Sequence, residues 1–228
     1  NASCRLGGGR LLCTPTAVSK GDVRPEMLIV VGPDGAVVQG TRRSFSELQL
    51  HRAAYAARPD IGVVLHAHPP HATAFAVSGQ PLGHPFMAEP VVTLGPVIPV
   101  VAYHRPKSAG LDAAVSAALR GADVAILDRH GVLAVGGSFE QALLRLELVE
   151  HLARISHTAQ ALGGPRPLPP EEVRALAQKG RPGSDPDWSA AAGAGAGPNA
   201  AAAAPTRGAT AGRPDVGRLV SDALDRYR

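Results

Sequence analysis

Two imidazoles placed two residues apart, His66 and His68, are the first feature of this sequence that could do chemistry. The run Val63-Val64-Leu65 before them is apolar and mostly β-branched, which reads as the end of a buried strand. Side chains alternate along a strand, so His66 and His68 share one face while Ala67 takes the other. Pro69-Pro70 stops the strand and leaves the pair at its carboxyl end, where ligand sites of α/β folds gather. Two imidazoles on one face are two of the ligands that a zinc-type ion needs. A pair of polar residues at a strand mouth, holding nothing, is the other reading of the same motif.

His130 is the third candidate ligand. It follows the apolar run Val124–Leu127 and precedes Gly131, so it too sits at a strand end. Three imidazoles give the open three-ligand site of a catalytic ion, with positions left for substrate. Asp128, nearby in sequence, is a candidate acceptor for an imidazole N–H. A metal that withdraws electrons still needs a base to move a proton. Glu47, at the start of a helix, suits that role. It also completes a Ser44-x-x-Glu47 capping box, which needs no function at all. His51, one turn later on the same face, either orients Glu47 or packs. His71 reads as a satisfied polar residue, and His84, His104, His151 and His157 as structural.

Several elements must position these groups. Residues 2–6 and 10–13 read as strands joined at Gly7-Gly8-Gly9, and Met27–Val31 and Ala36–Val38 as a hairpin through Pro33-Asp34-Gly35. A helix is expected from residues 44–46 to about Ala57, then a strand over 61–66 and a short helix from Pro70 to Val77. Residues 91–93 and 97–101 are strand candidates, and Ser108–Leu119 is an Ala-rich helix. Strands at 124–127 and 132–135 follow, then a long helix from a Ser138/Gln141 capping box to about Leu162. Pro170-Glu171-Glu172 opens a last helix. Residues 181–214 are almost devoid of large apolar side chains and read as a low-complexity Ala/Gly/Pro linker. Residues 215–228 form an amphipathic segment with Val216, Leu219, Val220, Ala223, Leu224 and Tyr227 on one face. An antiparallel start followed by alternating strands and helices predicts an α/β layered domain with a mixed sheet and helices on both sides.

The 228 residues, 45% of them hydrophobic and 18% charged, suffice for one domain with a real core. No apolar run reaches the roughly 18 residues of a membrane span, and no signal-peptide pattern opens the chain. The net charge of +4 is spread along the chain without interleaved aromatics, which argues against nucleic acid and suits an anionic small-molecule substrate. Two cysteines are too few for a disulfide framework and point to a reducing, cytoplasmic setting.

Asn1-Ala2-Ser3, Thr14-Pro15-Thr16, Ser46-Glu47 with His51, His66-Ala67-His68-Pro69 and His130-Gly131 occur in the order and spacing of the class II aldolase/adducin family. The chain resembles that family over nearly all of residues 1–180, its expected catalytic domain. The resemblance implies a three-layer domain with a central mixed, largely antiparallel sheet, and the family's N-terminal helix is expected to fall outside this chain. It implies Zn2+, or another divalent transition metal, on His66, His68 and His130, with Glu47 as the acid/base that also approaches the metal. It places the phosphate of a small sugar substrate at Asn1, Thr16 and Ser46. The implied reaction is cleavage of a C–C bond through a metal-stabilised enediolate, in a homotetramer with active sites between subunits. Three positions depart from the family pattern. Phe45 replaces a phosphate-binding serine, Ala17 a glycine, and Phe86 the family's catalytic tyrosine. The family also holds epimerases, dehydratases, decarboxylases and the non-catalytic adducin head, and those alternatives stay open on sequence.

Overall fold

The computed structural model describes residues 1–82 and 85–180. Its framework is one eight-stranded sheet in the order β4-β3-β2-β1-β5-β8-β7-β6. The strands are β1 (Ala2–Arg5), β2 (Leu11–Cys13), β3 (Ile29–Val31), β4 (Val37–Gln39), β5 (Val63–Ala67), β6 (Val100–Val101), β7 (Val124–Leu127) and β8 (Gly131–Gly136). Every neighbouring pair is antiparallel except β6 with β7. The sheet is thus mixed and largely antiparallel, as expected.

Alternation along the strands sorts the side chains into two layers. On one face Ile29, Val64, Ala125, Leu133 and Val135 pack under α1 (Leu48–Ala57) and α4 (Ala109–Arg120). On the other, Val30, Val63 and Leu65, with Val124, Ile126, Val132 and Ala134, pack under α2 (Pro70–Ser78) and α5 (Phe139–Gln160). α3 (Ala88–Leu94) and α6 (Pro170–Gly180) lie against each other through Val91 and Val173. Cys4 and Cys13 point into opposite layers, which keeps the two thiols apart.

The element ends follow local chemistry. The Ser138 hydroxyl accepts from the Gln141 N–H at the start of α5, while Gln141 Oε1 accepts from the Gly137 N–H. Gly35, at φ 91, turns the β3–β4 hairpin, and Asp34 closes it by accepting from the Ala36 N–H.

Two expectations are corrected. Residues 91–93 lie in α3 rather than a strand: Glu89-Pro90 starts a helix and its apolar face finds α6. Helix α1 begins at Leu48, and Glu47 occupies the N-cap position with no side-chain cap, so the Ser44/Glu47 capping box does not form. The hairpin expected at Gly7-Gly8-Gly9 forms: β1 and β2 pair antiparallel across a 3-10 turn, closed by the Leu6 N–H on the Arg10 carbonyl. The expected linker over 181–214 and the amphipathic segment over 215–228 lie outside the described residues.

Candidate metal centre

The β5–β8 pair builds the site. His66 faces Leu133 across the ladder, on the α1 side of the sheet, and His68 lies just past the end of β5. His130 ends the turn between β7 and β8, with its N–H on the Leu127 carbonyl at 3.0 Å. Arg129 takes φ 55 in that turn, a conformation that usually goes to glycine or asparagine. The loop Asp128–His130 thus reaches the mouth of the neighbouring strand. Gly131 allows the close approach: a β-carbon there would lie 2.5 Å from the Ala67 carbonyl oxygen and 2.6 Å from His68 Cδ2.

The three imidazoles converge. Ring centroids stand 4.9 Å apart for His66–His68, 4.7 Å for His66–His130 and 5.0 Å for His68–His130. Glu47 Oε1 comes within 3.5 Å of His130 Nε2. One ligand atom from each of Glu47, His66, His68 and His130 can be chosen so that all four lie within 4.8 Å of one another.

The hydrogen bonds orient these donors. His66 Nδ1 lies 3.0 Å from the Val132 carbonyl, which can only accept, so Nδ1 carries the proton and Nε2 a lone pair. That lone pair points at His68 Nε2, 3.1 Å away. Tetrahedral zinc with about 2.05 Å bonds sets neighbouring ligand atoms roughly 3.3 Å apart. The spacing of the donors fits a small cation between them. Burial, then the neighbouring His130 and His68, push the His66 imidazole down to about 3, and burial also lowers His68. A neutral imidazole is the form that binds metal. The expected partner Asp128 makes no such contact. The Val132 carbonyl takes the His66 proton, because strand pairing puts it opposite the ring.

Of the expected anion-binding residues, Asn1 and Ser46 adjoin Glu47. Ser46 is exposed and lines a cavity with a volume of about 290 Å³ that also holds Glu47, His130, Tyr103, Lys107 and Leu111. The Thr16 N–H donates to the Arg43 carbonyl at 3.1 Å. Ala17, beside it, holds φ 56, a backbone conformation that favours glycine. Asn1 donates from Nδ2 to Glu47 Oε2 at 2.8 Å and accepts at Oδ1 from His51 Nε2 at 2.7 Å. Phe45 lies in the core against His51, ring centroids 4.8 Å apart, rather than in the cavity. Phe86 packs at the edge of the α2–α5 core.

His71 is satisfied, as expected: Nδ1 lies 2.8 Å from Glu150 Oε1, and the same carboxylate accepts the N–H groups of His71 and Ala72. His84 lies outside the described residues. The roles of Ser3 and Tyr55, which close around His51, carry no sequence signal.

Comparison with known proteins gives the class. Residues 1–157 match the family described as the class II aldolase and adducin N-terminal domain, and the chain belongs to that family. With its Glu/His cluster and its relatives, it is an enzyme of the aldolase type. It is 31% identical over 179 residues to a 5-methylthioribulose-1-phosphate/5-deoxyribulose-1-phosphate aldolase of Rhodospirillum rubrum, covering 78% of this chain and 80% of that one. It is 31% identical over 182 residues to the L-fuculose phosphate aldolase of Escherichia coli O6:H1, covering 78% and 82%. A solved L-fuculose 1-phosphate aldolase superposes with a TM-score of 0.71 at 28% identity, covering 78% of this chain and 84% of that one.

Proposed function

We propose that this protein is a zinc-dependent lyase that splits the C–C bond of a ketose phosphate, with His66, His68 and His130 holding the metal and Glu47 moving the proton. The convergence of those four side chains carries the reading. The bound ion would supply Lewis-acid polarisation of the substrate's carbonyl and hydroxyl oxygens. The protein does the rest. The Val132 carbonyl and the β5–β8 ladder fix the His66 imidazole before any ligand arrives. Glu47 keeps Oε1 on the cluster side while Asn1 holds Oε2. A carboxylate so placed takes the hydroxyl proton as the bond breaks and returns one to carbon.

The anion of the substrate is assigned to the Thr16 and Ser46 hydroxyls and the remaining amide hydrogen of Asn1. Helix α1 supports this, since it starts at Leu48 without a side-chain cap and leaves its first N–H groups available. The cavity beyond His130 receives the aldehyde half. Its walls of Leu50, Val101, Leu111 and Leu127 suit a short, weakly polar chain. By family resemblance the working form is a homotetramer in the cytoplasm. The reduced, buried Cys4 and Cys13 accord with that compartment.

The test is metal analysis of purified protein, followed by incubation with dihydroxyacetone phosphate in deuterated water. One zinc per chain and deuterium at the carbon next to the carbonyl are expected. A folded, metal-free protein would remove the reading. Zinc without exchange would move it to decarboxylation, dehydration or epimerisation on the same site. Light scattering should give a mass of four chains.

A further inference from the structure

A line of directed hydrogen bonds runs from the core to the carboxylate of Glu47. His51 on α1 has no exposed surface, yet both ring nitrogens are engaged. Nε2 lies 2.7 Å from Asn1 Oδ1, and Nδ1 lies 2.7 Å from Ser3 Oγ. The Tyr55 hydroxyl donates to the Ser3 carbonyl at 2.8 Å and lies 3.1 Å from Ser3 Oγ, which fixes Ser3 in turn. Phe45 covers one side of the imidazole.

The direction of every bond is set by its end. A carboxylate only accepts, so Asn1 must present its NH2 group to Glu47 Oε2. That turns Asn1 Oδ1 toward His51, so His51 carries its hydrogen on Nε2. Nδ1 is then bare, and the Ser3 hydroxyl donates to it. Reversing any member would set two acceptors face to face along a line that is buried at Ser3 and His51 and partly buried at Asn1 and Glu47, at a cost comparable to an ordinary hydrogen bond or more. The result is that Oε2 of Glu47 is tied while Oε1 is left 3.5 Å from His130 Nε2.

We propose that His51 is a positioning residue for Glu47, acting through the side-chain amide of Asn1. The proposal rests on Glu47 being the proton-transfer group. The imidazole spends both nitrogens on Asn1 and Ser3, is not among the residues that line the cavity, and works by choosing which way the amide faces. A donor at this position is therefore required, and an apolar side chain of equal bulk is not equivalent.

The experiment compares His51→Leu with His51→Gln in the full-length zinc protein. Glutamine places an N–H donor near the position of Nε2, and leucine cannot. For His51→Leu, turnover should fall about 100-fold, the loss expected when a reacting group is misplaced by about 1 Å. Zinc content should stay near wild type, KM should rise only through the shared Asn1 amide and by less than turnover falls, and His51→Gln should recover most of both losses. A second measurement needs neither variant nor substrate. Two-bond proton–nitrogen NMR of the metal-free wild-type protein should show His51 as the neutral Nε2–H tautomer. Wild-type turnover in His51→Leu, equal loss in His51→Gln, or an Nδ1–H tautomer would overturn the proposal. A protein that shows the tautomer but cleaves no ketose phosphate would instead count against the assigned reaction.

Discussion

Gly131→Ala tests whether the metal centre depends on a close approach of two strands. The new β-carbon would stand 2.5 Å from the Ala67 carbonyl oxygen and 2.6 Å from Cδ2 of His68. Comfortable contact with either needs about 3.5 Å, so one side must retreat by roughly 1 Å. The carbonyl belongs to β5, which is paired on both edges, and cannot retreat without breaking the ladder. The His68 ring is the softer partner and should swing away. Binding constellations tolerate only about 0.5 Å of such displacement. Zinc affinity should therefore drop by at least 10- to 100-fold, the range seen when ligand-orienting contacts are lost. Overpacking should cost about 1–3 kcal/mol of stability. Competition with a chromogenic chelator measures the first, and denaturant melting of the metal-free protein measures the second. Gly121→Ala is the control: nothing lies within 4 Å of a β-carbon there, and its φ of −107 suits alanine. Wild-type zinc affinity in Gly131→Ala would refute the reasoning.

Glu47→Gln should keep the zinc and the fold but cut carbon-bound deuterium exchange by about 10²–10⁴-fold, since it keeps the shape and loses the proton acceptor. The metal-free protein should lose stability in acid. Burial holds the His66 imidazole near 3 in the folded state, against an ordinary 6.5, and lowers His51 well below that ordinary value. Folding therefore resists protons that the unfolded chain accepts. The stabilisation is whole above pH 6.5 and shrinks below it by about 1.4 kcal/mol per pH unit for each imidazole, which urea melts from pH 7 to pH 4.5 would show. A flat profile would contradict the burial of these rings. Burial raises both thiols to about 12, so Cys4 and Cys13 should resist thiol reagents in native buffer and react fully in denaturant.

The metal cluster was legible because it rests on local rules. A strand's alternation put His66 beside His68, and an apolar run followed by a glycine marked the strand end that carries His130. Its joining to the other two required strand order, which no local pattern encodes. Only the ordered set of family motifs supplied it. Glu47 was legible as the acid/base candidate, and the cap that Ser44-x-x-Glu47 offered as its alternative does not form, because the carboxylate has a better partner in Asn1, 46 residues away. Asn1 was placed with the substrate anion, and its amide in the structure also serves Glu47 and His51. Residues 91–93 were misread because two β-branched valines and a threonine favour a strand, and the tertiary contact with α6 outweighs that preference. His51 shows the limit most clearly: its one-turn spacing from Glu47 left orienting and packing both open, and the partners that decide between them, 48 and 50 residues distant, have no signature in one dimension.

The adjacency of β5 and β8 has a thermodynamic consequence. A cation gripped from both sides of that seam would act as a rivet through the middle of the sheet. It would favour only the one strand register that brings the imidazoles together, since a slip by one residue turns His66 to the opposite layer. By mass action, metal at a thousand times its dissociation constant adds about 4 kcal/mol to the folded state. Starvation for the ion would then lower the amount of intact protein as well as its turnover.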